Sequence, residues 1–311
     1  MVFLIFRYNT CMTYRKLIIA VFLMPSIALT VLPVSVDAKV VSSEQYRLEL
    51  IAQLQDLLSQ LLAIQKQLEE KRGYASSDNS VIKNRTPYES QFYNFSHRAI
   101  YFVENNRLIN AKSGERVGDI DQELFVLFKN VVGELAVSKY VDEWRIFNKK
   151  NSDLGAYVEL MSTTASGPRN WIVGVNTAGY GYGASKSFAN LFIHEYGHIL
   201  FYDKPDFVTS YKNNFWTVTD IKHAEKARIT SDDERFDLNQ NYYEKNSLRF
   251  VSDYATVGVD EDMAETFVYF IREDKPTGNT IRDQKILAFY QEPDLVEIRL
   301  EIRANLKTIN L

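Results

Sequence analysis

Sulfur chemistry is the first thing this chain goes without. Its one cysteine, Cys11, lies near the start of 311 residues. The rest of the chain therefore has neither a disulfide nor a thiolate, which excludes cysteine-protease, Cys-ligated-metal and redox functions for it. A basic excess is also missing: 36 Lys and Arg against 40 Asp and Glu give a formal charge of −4, which offers no electrostatic footprint for nucleic acid. Histidine is scarce, with four in the whole chain, so a regular spacing between two of them carries information. Aromatic residues are plentiful, 19 Tyr and 19 Phe, but they suit a packed core and a peptide-binding cleft equally well.

The first 38 residues read as a secretory signal peptide. Arg15 and Lys16 precede an uncharged run over residues 17–32, and Ala38, with Val36 two before it, fits cleavage before Lys39. Export to the extracellular space or the cell envelope is the expectation. An uncleaved anchor is the alternative, because the run is near the lower limit for crossing a bilayer, and membrane contact is expected only in that case. Translation starts at Met1 or at Met12.

Residues 39–72 carry a heptad pattern. No Gly or Pro falls within 43–72, and Leu50, Leu54, Leu57, Leu61, Ile64 and Leu68 alternate spacings of four and three. This predicts an amphipathic helix that either forms a coiled-coil homo-oligomer through residues 43–72 or lies on its own domain. Residues 73–87, with Gly, Ser, Asp and Asn, read as a linker. The body, residues 88–311, has an α+β pattern, with strands expected at 99–103, 144–147, 153–161 and 171–175 and a helix at 122–133. The turn with Gly179, Gly181 and Gly183 lacks the Lys-Ser/Thr ending of a phosphate loop and reads as a flexible connection.

His194, Glu195, Tyr196, Gly197 and His198 spell HEYGH within an apolar run at residues 188–201. Positions i and i+4 of a helix share a face, so two imidazoles at this spacing can bind one metal ion without distorting the backbone. A Zn²⁺ held by two His and a carboxylate keeps its fourth position for water and lowers the pKa of that water to roughly 7. Glu195, beside the ion, can take the proton. Without a metal, two His and a Glu among Leu191, Phe192, Ile193, Ile199, Leu200 and Phe201 would be costly to bury. Lys204 and Pro205 stop this helix. Residues 206–249 are polar and are expected to form surface between two ligand-bearing helices, with His223 an isolated surface histidine.

The third ligand is sought in residues 250–270. Asp260 is placed as the N-cap of a helix whose apolar face is Ala264, Phe267, Val268 and Ile271. Glu261 and Glu265 are i, i+4 and share a face. One can ligate the metal while the other fixes the tautomer of a ligand histidine; the alternative is a solvated acidic first turn favoured by the helix dipole. No third His follows in the HExxHxxGxxH spacing, because Phe201 and Lys204 stand at those positions.

HEYGH followed by a Glu-x-x-x-Glu helix resembles the gluzincin metallopeptidases. More narrowly, Ser252, Asp253, Tyr254 and Ala255, then Glu261 and Met263-Ala264-Glu265, look like the zinc-site segment of the anthrax lethal factor catalytic domain and related bacterial secreted peptidases. The resemblance covers residues 184–271. It implies a zincin-like fold, one zinc per chain on His194, His198 and Glu261, Glu195 as general base, Glu265 behind a ligand histidine, and Tyr254 at the oxyanion. Exchange of the roles of Glu261 and Glu265 would keep the family. In such peptidases an edge strand before the metal helix pairs with extended substrate, and residues 171–176 are the candidate, by β-augmentation; an ordinary sheet strand is the alternative. The expected activity is an exported zinc endopeptidase acting on peptide or protein substrates. Its rivals are a catalytically silent zinc-stabilised envelope scaffold and a cell-wall peptide amidase.

Overall fold

The strands between residues 99 and 176 carry apolar side chains on both sides, and they build a sheet with two different faces. The computed structural model describes residues 86–90, 93, 95–112, 114–150, 154–161, 170–178 and 185–311. The signal segment at 1–38 with Cys11, the heptad segment at 39–72, nearly all of the linker at 73–87 and the turn at 179–183 lie outside the described residues.

Five strands, β1 (Ala99–Glu104), β2 (Arg107–Asn110), β3 (Val141–Phe147), β4 (Ala156–Leu160) and β5 (Trp171–Asn176), form one sheet in the order β2-β1-β3-β5-β4. β3 and β5 are parallel and the other pairs antiparallel. The β1–β2 hairpin turns on Asn105 and Asn106, whose φ angles of 50° and 59° are left-handed. Asn tolerates that geometry and a two-residue hairpin turn requires it. One face of the sheet presents Tyr101, Trp144, Ile146, Val158, Trp171, Val173 and Val175 to the main core. The other packs Phe147, Tyr157 and Ile172 against Tyr93 and Leu154. Tyr157 lies directly opposite Gly174 in the β4–β5 register and its ring covers that glycine, where a Cβ would meet it at 2.0 Å.

The strand expected at the edge is not there. β5 has β3 on one side and β4 on the other, and all six of its residues are buried. Its continuous apolar run suits a strand covered on both faces. Among the described residues the edge on this side is β4.

The helices are α1 (Asp119–Val132), α2 (Glu134–Tyr140), α3 (Ser185–Tyr202), α4 (Pro205–Phe215), α5 (Val218–Ile229), α6 (Asp232–Lys245), α7 (Val259–Arg272), α8 (Ile281–Phe289) and α9 (Pro293–Thr308), with a 3₁₀ turn at Tyr254–Thr256. The described residues are thus α+β. None of their helices is long and apolar enough to cross a membrane. α3 carries HEYGH and packs on α7, α1 and β4. Phe192 of α3 meets Phe128 of α1 edge-on at 5.2 Å, and both pack on Trp144 of β3, which fixes α3 over the sheet.

Two further expectations change. The polar stretch at 206–249 does lie mostly at the surface, folded into α4, α5 and α6. Pro205 occupies the first position of α4, where its fixed φ is already helical, and Thr217 and Asp220 form a capping box at α5. His223, expected on the surface, is therefore carried on α5 into a buried position, 8% exposed. Asp260 is not an N-cap. Gly258 holds that position and Asp260 sits inside the first turn of α7, where its carboxylate lies 3.7 Å from Arg228.

Candidate metal centre

Two turns of structure set the site. On α3, His194 and His198 stand on one face a turn apart, with ring centroids 4.7 Å apart. On α7, Glu261 falls in the first turn and faces them. Gly197 lets the two helices come this close: a Cβ there would stand 3.2 Å from the Phe267 ring and 3.5 Å from the Ala264 Cα. The glycine of HEYGH is therefore where α7 docks.

Three atoms converge at nearly equal separations. His194 Nε2 is 3.0 Å from His198 Nε2 and 3.1 Å from Glu261 Oε2, and His198 Nε2 is 3.3 Å from the same oxygen. All three residues are buried, at 1%, 4% and 3% exposure. His194, His198 and Glu261 form a group able to hold a metal ion.

The tautomer supports this. Glu265, one turn along α7, places Oε1 2.9 Å from His194 Nδ1. A carboxylate only accepts, so Nδ1 carries a proton, and a neutral His194 held this way presents the Nε2 lone pair to the group. Ser252 in turn donates to Glu265 Oε2 at 2.6 Å. Lone pairs facing one another at these distances repel unless a cation lies between them. In the metal-free protein a proton fills that role. Burial opposes charge on His194, but the hydrogen bonds it donates to Glu261 and Glu265 outweigh it and push the imidazole up to about 10. Burial likewise works against Glu261, and the charges and hydrogen bonds of His198 and His194 overcome it and hold the carboxyl at about 2. A metal ion entering the group would displace that proton.

Glu195, also expected here, is 4% exposed. Burial pushes its carboxyl up to about 7, against the pull of His194 and His198. That places it where a general base near neutral pH works best. The Tyr254 ring lies 5.9 Å from the His194 ring. Burial, followed by the negative charges of Glu261 and Glu195, pushes its phenol well up, so the O–H is kept and can donate.

All six residues singled out in the sequence are thus brought together, with Glu261 in the donor group and Glu265 behind His194. Two others belong to the neighbourhood. Ser252 completes the link to Glu265; its signal was its place in the segment before Tyr254. Tyr93 stacks on Tyr157 of β4 at 3.8 Å, and burial, then the charges of Glu195 and Glu261, push its phenol up. Nothing local in the sequence marks Tyr93. His223 stays outside the group, bonded to Asn239 and Thr256. Set against models of protein families, curated proteins and solved structures, the chain matches none of them.

Proposed function

We propose that the chain is a zinc metallopeptidase of gluzincin type, with His194, His198 and Glu261 as the ligands. The observation that carries this reading is the donor triangle beside a buried glutamate. Tetrahedral zinc with bonds near 2.0–2.1 Å needs donors ~3.3 Å apart, and the three edges measure 3.0, 3.1 and 3.3 Å. Two neutral imidazoles and one carboxylate are also the donor set of a catalytic zinc site with an open position.

A zinc ion held there would supply Lewis acidity, acidifying a water and polarising a peptide carbonyl. The side chains do the rest. Glu195 takes the water's proton on its carboxylate and hands it to the leaving amine. Tyr254 donates its O–H to the carbonyl oxygen as negative charge builds there. Glu265 keeps the His194 proton on Nδ1. An extended peptide would add along β4, the sheet edge beside α3. In the same reading residues 1–38 direct export of the zincin-like body.

The test is metal content by elemental mass spectrometry together with casein cleavage, for the parent, Glu195→Gln, Glu261→Gln and Glu265→Gln. One zinc per chain in the parent, kept in Glu195→Gln without cleavage and lost in Glu261→Gln, is expected. Zinc bound with no cleavage of protein or cell-wall peptide by the parent would favour the scaffold reading. Cleavage of cell-wall peptides alone would favour the amidase.

A further inference from the structure

The short stretch between α6 and α7 is tied to the candidate metal centre by one hydroxyl. Ser252 Oγ donates to Glu265 Oε2 at 2.6 Å and accepts the backbone N–H of Ala255 at 3.1 Å. Glu265 Oε1 accepts from His194 Nδ1 at 2.9 Å. Three hydrogen bonds therefore run from an imidazole of the donor group to the backbone of the 3₁₀ turn that begins at Tyr254. The far end of that turn is also held. Thr256 Oγ1 donates to the Asp253 carbonyl at 2.7 Å and lies 3.2 Å from His223 Nε2, and the His223 ring is stacked on Tyr242 at 3.9 Å.

We infer that Ser252 is a positioning residue for the metal site: through Glu265 it fixes the His194 imidazole, and it does so from the turn that carries Tyr254. This rests on reading His194, His198 and Glu261 as a zinc site. The physical reason is the carboxylate's freedom. Glu265 reaches His194 through one oxygen, and a side chain with three rotatable bonds is held in that pose only if its other oxygen is also engaged. Ser252 engages it with a short charge-assisted bond. Without that bond the carboxylate turns away from Nδ1, the proton is no longer confined to that nitrogen, and Nε2 loses basicity toward a metal. Outer partners of this kind are worth roughly 10- to 100-fold in metal affinity. The Ala255 contact alone would make Ser252 an ordinary turn cap, whose loss costs stability and leaves metal affinity unchanged.

The experiment is titration of Zn²⁺ into the full chain against a chromophoric chelator, for the parent, Ser252→Ala, Ser252→Thr, Ser252→Val and Tyr254→Phe. Ser252→Ala is expected to bind zinc roughly 10- to 100-fold more weakly. Ser252→Thr keeps the hydroxyl and should stay close to the parent. Ser252→Val has the same shape without the hydroxyl and should be as weak as Ser252→Ala. Tyr254→Phe should keep parental affinity. The Thr and Val pair carries the test if the alanine variant does not fold. Equal affinity in the Thr and Val variants overturns the role of Ser252 and leaves the zinc site standing. A parent that takes up no zinc overturns the zinc site and this inference with it.

Discussion

Glu261 and Asp262 are consecutive residues of α7, both buried carboxylates, and they turn to different neighbours. Asp262 meets the Lys285 ammonium at 2.6 Å and the Trp216 indole N–H at 2.7 Å, and Lys285 itself sits 3.8 Å over the Phe250 ring. Burial pushes the Asp262 carboxyl up and the Lys285 ammonium down, each opposed by the attraction of the other. That cluster contains an anion, a cation and a donor, so its charge is closed from within. Glu261 faces two imidazole nitrogens at 3.1 and 3.3 Å, and in the metal-free protein a proton on His194 balances it. Its cluster is balanced by an exchangeable cation, a proton here, whose place a metal ion could take. A buried charge does not by itself indicate function; what balances it is the difference between the two clusters.

The comparison is broken or sharpened most strongly at Glu195. Glu195→Gln should lower peptide turnover by roughly 10²- to 10⁴-fold while zinc content stays at the parental level; a variant cleaving at the parental rate would remove the glutamate from the mechanism. On the closed side, Lys285→Met should destabilise the fold by about 3–5 kcal/mol, because it leaves Asp262 buried and unpaired, and replacing both partners with apolar residues should recover most of that. Urea unfolding measures it, and loss of zinc binding without loss of stability would contradict the division drawn between the two clusters. Zinc at a hundredfold excess over its Kd should stabilise the chain by about 2.7 kcal/mol, seen as a rise in Tm that Glu261→Gln abolishes.

Next in size is a pH effect on the metal-free protein. Glu261, held at about 2 from an ordinary 4.5, contributes stability that is complete above 4.5 and is lost as the pH falls towards 2. His194, pushed up to about 10 from 6.5, contributes stability that is complete below 6.5 and is lost as the pH rises towards 10. Urea midpoints of the metal-free chain should therefore fall between pH 6.5 and 10, and saturating zinc should flatten that decline. A decline that zinc leaves untouched would place its cause elsewhere. The smallest effect lies far from both clusters: Thr217→Ala removes the capping box of α5 and should cost about 1 kcal/mol with no change in zinc binding.

Much of the site was legible because it is written in helical spacing. His194 with His198, and Glu261 with Glu265, are each i, i+4, and that spacing survives into the fold because α3 and α7 are regular helices there. The α+β class was legible for the same reason. What could not be read was non-local. Strand order depends on pairings between distant segments, and β5, with its apolar run, gives no local sign that β4 lies outside it. The polar stretch of α4 to α6 hides its helices because they bury narrow faces, and His223 is buried by Asn239, Tyr242 and Thr256, which arrive from other elements. Asp260 was a reasonable cap by residue type, yet Gly258 holds that place and Asp260 faces Arg228 from inside the helix.

Gly197 is not one of the donors, yet it lies where the two helices that carry them meet. Its missing methyl group would stand 3.5 Å from the backbone of Ala264 and 3.2 Å from the Phe267 ring, so a side chain here would press on α7 at its closest approach to α3. Moving the helices apart by a few tenths of an ångström would widen the triangle towards ions with bonds of about 2.3–2.6 Å, the range of calcium. The close approach of the two ligand-bearing helices thus depends on a residue outside the donor group, through a carbon atom it does not have.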